Sequence, residues 1–133
     1  MAQGDFVTAV NCMDGRVQEP VLRWMTRRLS ADFVDMITEP GPDAMLAAGD
    51  APELPSIERR VRISVEKHGS RVVAIVGHTD CAGNPVADET HLEQVRRSVE
   101  LLESWKLGAR ILGLWVDPRW TVNVTYDSEG TLA

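Results

Sequence analysis

Two rhythms of apolar residues alternate along this chain, and together they predict its architecture. Residues 6–10 and 72–76 are short, nearly unbroken apolar runs, the second β-branched except for one alanine. Such runs suit strands buried on both faces of a parallel sheet. Residues 32–37 and 110–116 predict two more strands, and residues 121–126, where valine alternates with threonine or asparagine, predict a half-exposed strand at a sheet edge. Between the strands the period becomes helical. Val21, Leu22, Met25 and Leu29, extended by Trp24, predict a helix over residues 17–29, with Pro20 in its first turn, where proline is tolerated. Ile57, Val61 and Val65, with Ser64 between them, predict a helix from an N-cap at Ser56 through Lys67, closed by His68 and Gly69. Leu92, Val95, Val99 and Leu102 mark the inner face of another, opened by a Thr90–Glu93 capping box and ending near Lys106 with Gly108 as its C′ residue. A short helix over residues 43–48, N-capped by Asp43, follows the Pro/Gly-rich loop at 38–42, which is placed to overhang the strand ends.

Strands that alternate with helices in this way predict an α/β domain with three layers, α/β/α. Its central sheet is mainly parallel, with four strands plus an edge strand, and residues 1–133 form a single domain.

Composition narrows the function classes. With 133 residues, 44% of them hydrophobic and 26% charged, the chain can bury a core without disulfide staples. The net charge of -6 and pI near 5.0 argue against a nucleic-acid partner, which would call for a basic face. Arg23, Arg27 and Arg28, like Arg59, Arg60 and Arg62, sit beside acidic residues on predicted helices and read as solvated faces. No apolar run approaches the roughly 20 residues that span a bilayer. The opening residues lack a basic region followed by an apolar core, so no membrane is expected and the cytoplasm is the expected location.

Chemistry gathers at the ends of two strands. Gly77 stops the 72–76 run, and His78 and Cys81 follow it; the 6–10 run leads to Cys12, Asp14 and Arg16. Open α/β sheets collect ligands at the carboxyl ends of their strands, and loops distant in sequence meet there. Cys12 and Cys81 could form a disulfide, but a single bridge in an intracellular protein is uncommon. Two thiolates and one imidazole converging on an ion suit zinc better than magnesium or calcium. Three protein ligands leave one tetrahedral position open, as in a catalytic zinc site. Asp14 could close that position as a fourth ligand, or pair with Arg16 and stay ionised beside it. Asp80 reads as a turn residue. His68 and His91 read as helix-surface residues, and the four tryptophans as packing residues.

The combination of C-x-D-x-R (Cys12 to Arg16) with H-x-x-C (His78 to Cys81) after VVAIVG resembles the zinc site of the β-class carbonic anhydrases. The likeness extends to Gly113–Asp117 and Gly130, which are similar to that family's closing strand and turn. The resemblance implies Cys12, His78 and Cys81 as ligands of one zinc ion per chain, with Asp14 and Arg16 as a dyad beside the metal. It implies reversible hydration of carbon dioxide to bicarbonate by a metal-bound hydroxide, in a homodimer or higher homo-oligomer. Two thiolates neutralise the ion's formal charge, so activity is expected to favour alkaline pH. Carbonyl sulfide or carbon disulfide hydrolysis on the same scaffold, and a non-catalytic zinc-binding or assembly role, are the alternatives.

The chain also departs from that family. Only residues 1–11 precede Cys12, where the family carries a helical arm, so the arm's part in a dimer must be missing or replaced. The segment 38–45 stands in place of Arg-Asn-Ala-Gly. Ala82-Gly83 follows Cys81, where a glycine is expected at once.

Overall fold

The buried apolar runs lie side by side, as their composition requires. The computed structural model describes residues 4–132. Along it run β1 (Phe6–Cys12), a 3-10 turn (Gly15–Val17), α1 (Gln18–Arg28), β2 (Phe33–Glu39), α2 (Pro42–Ala48), α3 (Leu54–His68), β3 (Val72–His78), α4 (Asp88–Ser104), β4 (Arg110–Val116) and β5 (Val122–Asp127). The sheet order is β2-β1-β3-β4-β5. The first four strands are parallel, and β5 pairs antiparallel with β4. The sheet therefore has the predicted four parallel strands and one edge strand.

Strand alternation divides the core between two layers. Val7 and Ala9 of β1, Val72, Ala74 and Val76 of β3, and Leu112, Leu114 and Val116 of β4 pack with Val21 and Met25 of α1. The intervening Val10, Val73, Ile75 and Ile111 face Leu46 of α2, Ile57 and Val61 of α3, and Val95, Val99 and Leu102 of α4. Every residue of β3 is buried, which is why that run could dispense with polar alternation. Ser64, a polar residue in the α3 stripe, is satisfied there: its hydroxyl lies 2.6 Å from those of Thr8 and Ser70 and donates to Asp35 at 2.6 Å.

Helix starts differ from the sequence expectation, and prolines explain two of them. Pro55 occupies the first turn of α3, so that helix begins at Leu54 and Ser56 lies inside it. Gly41, at φ 68°, caps α2 with Pro42 in its first turn, so Asp43 is also inside its helix and buried. Helix α4 begins at Asp88, and the Thr90–Glu93 capping box does not form; Asp88 and Glu89 instead supply negative charge at its positive end. It ends at Ser104, with Lys106 in the left-handed conformation at φ 53° before Gly108. Leu22 and Leu92 are exposed, one position off the buried stripes of their helices.

Candidate metal centre

Parallel pairing of β1 with β3 puts Cys12 and His78, their last residues, at the same rim. Asp80 then adopts the left-handed conformation at φ 54°, and the turn it makes brings Cys81 back toward Cys12. The two sulfurs lie 3.8 Å apart and both cysteines are free, well beyond the roughly 2.05 Å of a disulfide. One ring nitrogen of His78 and both sulfurs all lie within 4.8 Å of one another, with all three residues buried. Such a group could hold a metal ion.

The orientation of the histidine is compatible with such a role. Nδ1 lies 2.7 Å from the Thr79 carbonyl, which can only accept, so Nδ1 carries a proton and donates it. Nε2 is buried without a hydrogen-bond partner. A buried polar atom without a partner is costly, and a ligand imidazole is commonly fixed in this way through its other nitrogen.

Charge is unevenly shared between the thiols. Burial pushes Cys12 up, but His78, the backbone amides of Asp14 and Gly41, and the charge of His78 together bring it down to about 7. Burial pulls His78 down, yet the Cys12 sulfur and the Thr79 carbonyl hold it above its ordinary value. Burial and the neighbouring Cys12 thiolate push Cys81 up to about 11.

Two loops wall the centre. A Cβ on Gly83 would come within 2.7 Å of Pro40, and one on Gly41 within 2.6 Å of Asn84. Only glycine lets the loops interlock so closely. The segment that lacks Arg-Asn-Ala-Gly thus still supplies a wall, with the Gly41 amide beside the Cys12 sulfur.

At the rim, Arg16 holds Asp14. Its Nε donates to Oδ1 and Oδ2 at 3.1 and 3.2 Å, its Nη2 to Oδ2 at 2.6 Å, and its backbone amide to Oδ1 at 2.9 Å. Asp14 therefore caps the 3-10 turn and pairs with the guanidinium at once. Hydrogen bonding by Arg16, opposed by partial burial, brings its carboxyl down to about 2. The Asp14 carboxylate is not part of the Cys12–His78–Cys81 group. Arg16 also donates from Nη1 to the Asp80 carboxylate at 3.1 Å and from Nη2 to the Asp80 carbonyl at 3.0 Å. Gln18 donates to the Cys12 and Asp14 carbonyls at 2.6 and 3.1 Å, tying the start of α1 to the same segment.

One expectation is overturned. His91 is not on the helix surface: it is fully buried, with Nδ1 2.6 Å from Asp43 Oδ2. Asn84 donates to Asp43 Oδ1 at 3.2 Å and to Gln94 at 2.6 Å, and the Ser98 hydroxyl donates to the Asp43 carbonyl at 3.1 Å. The helical period held the signal, because His91 precedes Val95 by four residues and so shares its face. His68 does lie at the helix surface, half-buried and paired with Asp35 at 2.6 Å. Asp80 is the exposed turn residue expected, yet it also orients Arg16.

The comparisons with known proteins point the same way as this geometry. A family model described as "Putative carbonic anhydrase" matches residues 2–126, nearly the whole chain. The chain belongs to the carbonic anhydrase family. A search of curated proteins finds no match. Among solved structures, the carbonic anhydrase from Glaciozyma antarctica superposes with a TM-score of 0.64 at 20% identity, over 93% of this chain and 83% of that one. The β-carbonic anhydrase isoform I of Trichomonas vaginalis gives 0.62 at 14% identity, over 91% and 82%. The apo form of a carbon disulfide hydrolase gives 0.65 at 14% identity, over 92% and 79%. This carbonic anhydrase family member thus has the β-carbonic anhydrase fold.

Proposed function

We propose that Cys12, His78 and Cys81 hold one zinc ion per chain and that the protein catalyses the reversible hydration of carbon dioxide to bicarbonate. The observation that carries this reading is the meeting of both sulfurs and one His78 ring nitrogen within 4.8 Å of one another in the interior, where the His78 Nε2 has no other partner while Nδ1 is committed to the Thr79 carbonyl. Two thiols at the same point complete a donor set of sulfur and nitrogen that fits zinc. Zinc held there supplies Lewis acidity, which brings water within reach of deprotonation near neutral pH.

The protein's own groups complete the site. Arg16 keeps the Asp14 carboxylate ionised and fixes its direction, so Asp14 can only accept a hydrogen bond and selects an oxygen that still carries a proton. Gly41 and Gly83 bring the two loops into close contact and place their backbone amides beside the Cys12 and Cys81 sulfurs. We also propose a homo-oligomer, supported by the exposed Met13, Leu22 and Phe33 as apolar surface for it, and a cytoplasmic location. Among the described residues no helix is long and apolar enough to cross a membrane.

Stopped-flow carbon dioxide hydration by the zinc-loaded protein tests the reading. Activity that rises from pH 7 to 9 is expected, and no turnover above background at full zinc occupancy would overturn it. The same protein given carbon disulfide and carbonyl sulfide tests the hydrolase alternative. Full zinc with no turnover on any of the three substrates would leave the non-catalytic role.

A further inference from the structure

Trp120 lies between β4 and β5 in a conformation that bulky side chains avoid, with φ at 59°. Asp117 builds the turn that holds it there. Asp117 Oδ1 accepts from the backbone amides of Arg119 and Thr121 at 2.9 and 3.1 Å, and Oδ2 accepts from the Asn123 side chain at 3.1 Å. The Trp120 amide donates to the Asp117 carbonyl at 2.8 Å, and the Asp117 amide donates to the Thr121 carbonyl at 3.1 Å. Backbone strain persists only where its surroundings over-determine it, and it concentrates at functional places.

The strained turn delivers the indole to the rim of the centre. Its ring lies under the Arg16 guanidinium, 4.9 Å from centroid to Cζ, and its centroid is 6.3 Å from that of the His78 ring. Asp14 and Asp80 occupy the hydrogen-bonding edges of the guanidinium, which act in its plane. Neither can hold a face. With its side chain 47% exposed, Arg16 would otherwise be free to tilt out of that plane and take the Asp14 carboxylate with it. Stacking on an aromatic face is the interaction that restrains this motion.

We propose that Trp120 is a positioning residue that fixes the tilt of Arg16, and through it the direction of the Asp14 carboxylate. The effect on turnover rests on the carbonic anhydrase reading, whereas the effect on Arg16 does not.

The test pairs nitrogen-15 NMR of arginine Nε–Hε groups with carbon dioxide hydration, in the parent, Trp120→Leu, Trp120→Phe and Asp117→Ala. The Arg16 resonance is assigned by its loss in Arg16→Lys. In the parent the ring current should shift Arg16 Hε upfield. The shift should vanish in Trp120→Leu, shrink in Asp117→Ala and partly survive in Trp120→Phe. Turnover number should fall about tenfold in Trp120→Leu with KM unchanged and recover to within about threefold in Trp120→Phe, as expected when an interaction made only in the transition state is lost. An Arg16 resonance that does not move in folded Trp120→Leu would overturn the proposal, as would a moved resonance with unchanged turnover in an active protein. If Trp120→Leu does not fold, Trp120→Phe and Asp117→Ala decide it by the same criteria. If the parent is inactive, the hydration reading fails on its own, and the resonance alone decides the role of Trp120.

Discussion

Two histidines in this protein are fully buried, and both leave Nε2 without a hydrogen-bond partner. His78 gives its Nδ1 proton to a backbone carbonyl and sits with two sulfurs. His91 gives Nδ1 to a buried carboxylate and sits against the Trp115 ring, 5.7 Å between centroids. An orphaned imidazole nitrogen is therefore not by itself a sign of a metal ligand. The company of other donors decides: two sulfurs lie beside His78, whereas an indole ring lies beside His91. The Nδ1 partner does not decide, because ligand imidazoles donate to carboxylates and to carbonyls alike.

The largest expected effects come from exchanging each ring for a methyl group. His78→Ala should bring bound zinc, measured by elemental analysis, from about one per chain to near none. His91→Ala should keep the zinc but lower stability by about 3–5 kcal/mol in urea denaturation of the metal-free protein, because it strands the Asp43 carboxylate in the interior. The contrast breaks if folded His91→Ala loses its metal or if His78→Ala retains it.

This contrast also marks what sequence reasoning could reach. The mainly parallel sheet with its edge strand and the meeting of Cys12, His78 and Cys81 were legible, because uninterrupted apolar runs, one alternating run and residues placed just after the strands point to them. His91 was legible in principle through its spacing to Val95, but a charged-type residue in a helix otherwise rich in Glu and Arg reads as surface until its buried partner is known. That partner, Asp43, arrives from 48 residues away, and no local pattern announces it. The helix starts failed for a local reason, since Pro42 and Pro55 outrank a serine or aspartate cap nearby. Trp120 does pack against the core, as read from the sequence, but its place against Arg16 was hidden, because a left-handed tryptophan has no sequence signature.

The two carboxylates paired with basic groups sharpen the same comparison. Asp14→Asn keeps the shape of the rim but turns an acceptor into a group that can also donate. Turnover should fall by roughly a hundredfold, the lower end of what proton-handling groups contribute, with zinc content and melting temperature little changed. Asp43→Asn should do the reverse, keeping turnover within a few-fold while stability falls by about 1–3 kcal/mol. If Asp14→Asn melts far below the parent with its turnover intact, the roles assigned to the two pairs are exchanged.

The thiols differ as the histidines do, and pH can separate them. In metal-free protein the Cys12 thiolate should grow as pH rises through about 7, while Cys81 waits until about 11. Because only the thiolate reacts, alkylation at pH 8 followed by mass spectrometry should modify Cys12 about tenfold or more faster than Cys81. Lower intrinsic nucleophilicity of the more acidic thiol offsets part of the larger difference in ionisation. On the linkage side, a lowered thiol pKa stabilises the metal-free fold above pH 9, and that contribution is lost as pH falls through about 7. Zinc should protect both residues, and equal alkylation rates at pH 8 would contradict the asymmetry.

The smallest effect is expected at Asp80, which also touches the Arg16 guanidinium but from solvent. Its side chain is 81% exposed, and ion pairs of that kind contribute about 0–1 kcal/mol. Half of what Asp80 gives Arg16 comes from its backbone carbonyl, at 3.0 Å, which no substitution removes. Asp80→Asn keeps the left-handed backbone accessible, since asparagine tolerates φ near 54°. Turnover in Asp80→Asn should therefore stay within about threefold of the parent. Asp80→Val should lose far more, because a β-branched residue resists the turn that returns Cys81 to Cys12; its zinc affinity, measured by competition with a chelator, should drop along with its activity. If Asp80→Asn proved as damaging as Asp80→Val, the carboxylate rather than the turn would be what this position supplies.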